Sequence, residues 1–493
     1  MALFQPLRSL LSNSQQRHAV RTVAGTIALT SLVITSGTVV LRQLGALQGA
    51  ELRAYDSLVR LRPDAGIDNR LLVVGIGEAD IQTRQEYPVQ DGTLARALQR
   101  LQRHQPRAIG LDIARDVPQG QERAALLQQL AQSDRIIAAC TLSSAEDPGV
   151  PPPPEVPGDR IAFADLPQDP DGVIRRSILV STPAPSEQPL PQPHLCNTVD
   201  PANQLISLSL SLALLYLQAE GITPQPTPNG EIQIGSMVFQ PLTDQAGGYR
   251  QTGATDYQIL LNYRSAKQAV QIVSLSQVLA DQVDPASIKD RVVIIGYTSD
   301  IAKDIFYTPY SDSAEHSRTM PGALIHAQSV SQILSAALGQ RPLLWYWAEG
   351  VEWLWIMGWG LVGGAIAWFA RKSWLFVLSE GLAVGSLVGI CYGLLLQGGW
   401  VPLVPSAIAL MTTAVGVVLL DRATQAGYTQ AIYEQVKEKV QVALKPTIEI
   451  DEVKRAQQVA EITESGHFQE LMKRAKAIRA QRQRDAAQHN DEL

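Results

Sequence analysis

The sequence predicts an α/β extracytoplasmic domain with a mostly parallel sheet, joined to four transmembrane helices and a short cytoplasmic helical tail. Three observations predict it. Between residues 71 and 337, short apolar runs alternate with helix-periodic segments, the pattern of βαβ units. Four long apolar runs flank that segment, each long enough for a ~30 Å hydrocarbon core. The basic residues favour placing the segment between the first and second runs away from both termini.

The four runs set the domain limits. With 493 residues the chain exceeds one ordinary core. Its averages, 45% apolar and 18% charged with a net charge of −6, hide a strong segregation. A basic segment, 1–19, precedes the first run, Val20–Leu41. A signal peptide is the competing reading there. No clean small-x-small cleavage site follows, and amphipathic helix reads on, so a retained anchor over 20–41 is expected. The further spans are expected at 347–370, 374–396 and 401–420. Trp345, Trp347, Trp353, Trp374 and Trp400 fall mostly near run ends, as an aromatic belt would place them. Arg371 and Lys372 form the short loop between the second and third spans. That loop and the N-terminus should be cytoplasmic, which places 42–344 outside and 421–493 inside. The expected location is the inner (cytoplasmic) membrane, with the large domain periplasmic. Residues 42–344 hold 24 Lys and Arg against 32 Asp and Glu, a net of −8. No nucleic-acid footprint is present.

Within the outer segment the elements follow in order. "LLVVGIGEADI" is an apolar strand ending in glycines. Asp91–His104 has helical periodicity through Leu94, Ala97, Leu98 and Leu101. "RAIGLDIA" and "RIIAACTL" are buried strands around the helix "GQERAALLQQLAQS". Pro151–Pro154 marks a loop. "RIAFADLPQDPDGVIRRSILV" reads as two strands around a turn. "NQLISLSLSLALLYLQAEG" is a buried helix closed by Gly221; as a span it would turn Arg371-Lys372 outward. "GEIQIGSMVFQPL" is a hairpin at Gly235-Ser236. "YQILLNYR" and "RVVIIGYTS" are buried strands, and "PGALIHAQSVSQIL" is the helix returning to the membrane.

Three cysteines are few. Cys140 and Cys196 lie in the outer segment and Cys391 in an apolar run. A Cys140–Cys196 disulfide fits an oxidising compartment, and two buried thiols are the alternative. No Cys/His cluster has metal-ligand spacing, so no metal or cofactor is expected.

The motifs "AYDSLVRLRP", "VVGIGEADI", "AIGLDIARD", "DPDGVIRRS", "LLNYRS", "VVIIGYTSDIAKDIFYTPYS" and "MPGALIHAQSVSQIL" occur in this order before closely packed spans. The series resembles the CHASE domain of the second type, a cyclase/histidine-kinase-associated sensing extracellular domain, and is similar to cyanobacterial members. The likeness covers roughly Leu52–Leu420. It implies an extracytoplasmic sensory module held by one N-terminal and three C-terminal spans. Relatives commonly carry a cyclase or kinase after the last span. Residues 421–493 show no Gly-rich nucleotide loop, HRD-type loop or phosphoacceptor box. Output is therefore expected through a separate cytoplasmic effector that contacts 421–493.

Ligands of α/β sheets sit at the carboxyl ends of strands. Asp112 ends one predicted strand with Arg115 and Asp116 beyond it, and Asp300, Lys303, Asp304 and Thr308 follow another. These are the candidate ligand-binding residues, with solvated loop charges and helix caps as the alternative reading. His326 joins them from the helix after Pro321, where a packed core histidine is the alternative. Arg175 is the last candidate, either for an anion or for pairing with Asp112 or Asp171. "DPDG" lacks the ligands of a calcium loop and reads as a β-turn. Tyr55, Asp56, Arg60 and Arg62 suit ion pairing against the base of the domain. Gly358, Gly360, Gly363 and Gly364 in the second span, and Gly381, Gly385 and Gly389 in the third, suit close helix packing in lipid. Glu349, Glu352 and Glu380 lie near span ends, which leaves a proton path poorly supported.

The first functional expectation is a membrane sensor or adaptor for an unknown small ligand. A structural subunit of a membrane assembly ranks second, and an extracytoplasmic hydrolase using Asp112, Asp304 and His326 third. No catalytic residue is assigned. Expected partners are the outer ligand, the effector and membrane lipid, with homodimerisation through the first span and the tail.

Overall fold

Each central strand is apolar on both faces because helices cover both faces of the sheet. In β1 (Leu71–Ile76) all six residues are buried. Leu72, Val74 and Ile76 join one hydrophobic core, and Leu71 and Val73 join the other. This computed structural model describes residues 14–189, 192–250, 256–311 and 319–425, with residues 466, 470, 472–477 and 479. The six-stranded sheet adds β2 (Ala108–Asp112), β3 (Ile136–Cys140), β4 (Ile161–Phe163), an edge strand Gln271–Ser274 and the strand Val292–Tyr297. From the edge strand the order runs through β1, Val292–Tyr297, β2 and β3 to β4, and every pairing is parallel.

The helix Asp91–Arg103 lays Leu94, Leu98 and Leu101 on one face of the sheet, with Leu126 and Leu130 of the helix Arg123–Gln132 beside them. The opposite face takes the helices Leu208–Gln218 and Gly322–Ala337, through Leu208, Leu212, Val330 and Ile333. Each fully buried Leu, Ile or Val side chain contributes about 1.5–3 kcal/mol of transfer free energy. Ser207 caps the first of these helices by accepting from the Leu210 N–H. Chain reversal comes at Gly221, where φ is +74°. The helix has 11 residues, well short of a span.

Ile232–Ile234 and Met237–Phe239 form the hairpin expected at Gly235-Ser236. The two strands expected around the "DPDG" turn form, as Ile161–Phe163 and Arg176–Ser181, and lie in different sheets. The second of them pairs antiparallel with Tyr257–Leu260 and Leu205–Ile206 in a separate three-stranded sheet. Arg175 and Arg176 pin the intervening turn through Asp169. The strand Gln271–Ser274, not among the strands expected from the sequence, is short and carries only two apolar residues, Ile272 exposed and Val273 packed against the core.

Among the described residues, four helices are long and apolar enough to cross a membrane: Ala24–Gln43, Glu349–Phe369, Ser373–Leu396 and Val404–Arg422. In the second, Gly364 lies against Ile27 and Thr413, and an added Cβ at Gly363 would collide with the Leu410 carbonyl. Gly381, Gly385 and Gly389 of the third meet nothing within 4 Å among the described residues. That stripe therefore does not pack the described bundle, unlike the stripe of the second span. The chain forms two units, Met1–Leu419 and Leu420–Leu493. Most of the expected tail, 421–493, and the N-terminal residues 1–13 lie outside the described residues.

A candidate ligand cleft at the carboxyl edge of the sheet

β2 ends at Asp112 and its neighbour ends at Tyr297, so both present side chains at the carboxyl edge of the sheet. A cleft of about 330 Å³ opens there. Its wall includes Tyr87, Asp112, Arg115, Ala139, Tyr297 and Asp304. Asp112 is nine-tenths buried, and its Oδ2 has no hydrogen-bond partner. His326 Nε2 lies 3.9 Å from Asp112 Oδ1. The imidazole is buried, with Nδ1 3.0 Å from Ser209 Oγ and Nε2 3.2 Å from the Ala164 carbonyl oxygen. Asp304 lies against the first turn of the helix Gly322–Ala337, where its carboxylate fills the space a Cβ at Gly322 would take.

Burial sets the protonation of this group. It pushes Asp112 up to about 7. Burial, then the Asp112 charge, raises Asp304 to about 6, against the pull of His326 and the Gly322 N–H. Burial lowers His326 to about 4, although Asp304 and the Ala164 carbonyl favour its cation. At neutral pH the imidazole is therefore uncharged and supplies no counter-ion to the two carboxyls. Arg115 is committed elsewhere. It donates to the carbonyls of Val89 at 2.6 Å and Ala114 at 2.7 Å and lies 3.4 Å from Asp91.

A second polar group ties the domain to the spans. Arg175 is buried and donates to Asp56, Asp169 and Asp171 at 2.7–2.9 Å. Burial opposes the Arg175 charge, and its hydrogen bonds to Asp56 and Asp171 more than offset it, holding the guanidinium above its ordinary range. The Tyr249 hydroxyl donates to Asp169 at 2.7 Å. Asp56 belongs to the helix Gln48–Leu61, which also carries Glu51 and Tyr55. Glu51 accepts from the Leu403 and Val404 N–H groups at 2.9 and 2.8 Å. These amides begin the last span helix, where backbone donors lack intrahelical partners. Arg42 at the end of the first span pairs with Glu352 of the second at 2.5 Å and donates to the Gly247 carbonyl. Trp400 is buried against Tyr55 and Tyr249, with ring centroids 4.6 and 5.6 Å away. It thus fills the joint between domain and spans instead of the lipid-facing belt expected for it.

Residues 29–365 match the CHASE2 domain family, about two thirds of the sequence. The chain belongs to the CHASE2 family. CHASE2 domains are extracytoplasmic sensory domains, and the four long apolar helices mark a membrane protein. Comparisons with curated proteins and with solved structures returned no match.

Within this CHASE2 domain, Asp112, Asp304 and His326 come together, from three separate segments. The other candidates lie apart from that group. Asp116 faces His194. Asp300 and Lys303 are exposed in a single 3-10 turn and its cap. Thr308 is buried in a turn, where its Oγ1 accepts from the Tyr310 N–H and its own N–H donates to Ser311. Arg175 stands in the base cluster, with Asp171 but not Asp112 as its partner. Tyr87 and Tyr297 were not singled out by sequence reasoning. Tyr297 ends a strand at the same edge as Asp112, so the strand-end rule reaches it. Tyr87 comes from a loop with no local signal. Cys140 lines the cleft, and its disulfide to Cys196 fixes the Cys196 loop next to it.

Proposed function

We propose that this CHASE2 protein is a membrane sensor whose outer domain binds a small ligand in the Asp112 cleft and signals through its spans to a separate effector. One observation carries the reading: a nine-tenths buried carboxyl that receives no hydrogen bond among the described residues lines a cleft at the edge where α/β sheets take ligands. The disulfide suits an oxidising space outside the cell. Arg371 and Lys372 suit a cytoplasmic loop, with both termini inside.

A continuous path supports signalling. Asp304 precedes the strand Ile305–Phe306, and Tyr307 bridges to Val173 and accepts from the Ile174 N–H. Arg175 follows and grips Asp56. The Asp56 helix then holds the last span through Glu51. A ligand shifts such a system only by its differential affinity for two states.

The hydrolase reading finds no comparable support. Ser209, His326 and Asp112 stand in the order hydroxyl, imidazole, carboxyl, but Ser209 is buried and does not line the cleft. The test is a thermal-unfolding screen of the full chain in detergent against small metabolites and ions. A saturable shift that Ala302→Trp abolishes, by filling the cleft, supports the reading. Phosphatase fusions at residues 62 and 340, and at the 371–372 loop, check its topology. An active fusion in the loop and inactive ones at 62 and 340 would overturn it.

A further inference from the structure

We infer that the ligand of this cleft is a small organic cation, an amine whose N–H groups donate to Asp112 and Asp304. The inference rests on the cleft reading above and names its ligand class. Asp112 has no hydrogen-bond donor among the described residues; its Oδ2 is shut from solvent, which leaves Oδ1 as the oxygen a cleft ligand can meet. A buried carboxylate without a donor is costly, and a partner that brings N–H groups and positive charge repays most. Asp304 adds a second carboxyl to the same wall.

Arg115, a cation on this wall, is directed to other groups and pairs with neither Asp112 nor Asp304. It is bound to two carbonyls and faces Asp91. His326 is held neutral by burial. An anion would meet two carboxyls. A neutral polyol would leave their charge uncompensated. No group of three acidic, His or Cys ligands suited to a metal is present among the described residues. The Tyr87 and Tyr297 rings, 5.8 Å apart and edge to face, add aromatic surface to the same wall. Aromatic faces attract cations. Both phenol oxygens are already engaged, Tyr297 accepting from the Val89 N–H and Tyr87 donating to the Ile301 carbonyl. The rings are therefore left for apolar and cation contacts. The size of the cleft is that of a site for a small molecule.

The experiment uses the full chain in detergent at pH 8 and fixed ionic strength. Putrescine, ethanolamine and choline are compared with 1,4-butanediol, succinate, Mg²⁺ and Ca²⁺ by thermal shift and calorimetry. The expected result is saturable stabilisation by at least one amine and none by the diol. Asp112→Asn and Asp304→Asn should weaken amine binding at least tenfold. Asparagine keeps the side-chain shape, so these variants should fold, and their unfolding curves without additive check this. Amine binding that persists in both variants overturns the inference. So does a Mg²⁺ or Ca²⁺ response lost in Asp112→Asn. If succinate or the diol binds instead and Ala302→Trp abolishes it, the amine class falls and the cleft reading stands. If binding of every probe survives Ala302→Trp, both fall.

Discussion

Asp56 and Arg175, 119 residues apart in sequence, meet as a bidentate pair with N···O distances of 2.8 and 2.7 Å. The pair joins the helix that leaves the first span to the turn that follows β4. Arg175 is almost fully buried and keeps Asp169 and Asp171 when Asp56 is removed, so the cost is that of its charge-assisted bonds to one of three carboxylates, about 1.5–3 kcal/mol. Asp56→Ala should lower the unfolding temperature of the full chain substantially. Arg175→Met should cost less than Arg175→Ala, because it refills part of the volume. Thermal unfolding of the three variants decides it. An unchanged midpoint in Asp56→Ala would show that the pair does not hold the helix to the domain.

The disulfide between Cys140 and Cys196 closes a loop of 56 residues' separation. A cross-link of that span removes loop-closure entropy from the unfolded chain, worth about 4 kcal/mol in the chain-entropy model. Protein isolated from membranes without reductant should resist alkylation at both positions. Cys196→Ser should unfold at lower temperature, and added reductant should move the wild type towards it. Because Cys140 lines the cleft, loss of the bond should also weaken any cleft ligand. Free thiols at both positions in freshly isolated protein would contradict the extracytoplasmic placement as well as the cross-link.

The cleft carboxyls give stability a particular pH slope. Asp112 rises from an ordinary value of 3.8 to about 7, so the folded state binds its proton more tightly than the unfolded chain. Stability from this group is full below pH 3.8 and is lost as pH rises through 7. Asp304, raised to about 6, acts in the same sense. His326 falls from 6.5 to about 4 and works oppositely, adding stability as pH rises between those values. Above pH 6.5 the contribution of the imidazole is complete and no longer changes with pH, so the remaining slope comes from Asp112. Arg115 and Tyr297 face the same cleft, and Arg115 stays paired with Asp91. Asp112→Asn should match the wild type near pH 4 and exceed it at pH 8. Urea unfolding at the two values tests this, and equal stabilities at pH 8 would count against a buried, uncompensated carboxylate.

The sheet was readable because its physics is local. Leu94, Leu98 and Leu101 repeat at helical spacing, and the runs ending at Ile76, Asp112 and Tyr297 are apolar on both faces. The edge strand Gln271–Ser274 was not readable, because only Ile272 and Val273 are apolar in its four residues, too short a run to mark a strand. Asp112 and Asp304 followed from the strand-end rule, and their approach to His326 is a product of sheet order. Arg175 offered a choice of partners in the sequence. Only the fold brings Asp56 to it, since ion pairs across 119 residues leave no periodic trace. Trp400 looked like a belt residue by position. Tyr55 and Tyr249, each far away in sequence, make it a core residue of the joint.

Glu51 controls the start of the last span. Its carboxylate accepts from the Leu403 and Val404 amides, which begin a helix and have no other backbone acceptor there. Burial raises Glu51 despite both amide bonds, so the site is closed to water that would replace it. Glu51→Ala leaves two amides unsatisfied in a buried position, at about 1–3 kcal/mol each. Hydrogen exchange at Leu403 and Val404 should then accelerate by roughly tenfold or more. Glu51→Gln retains one carbonyl acceptor and should fall between the two. Asp56→Ala frees the same helix from the domain and should raise exchange at those amides too, though by less. If exchange at Leu403 and Val404 stays protected in Glu51→Ala, the carboxylate does not cap the span, and the proposed path from cleft to membrane breaks at that link.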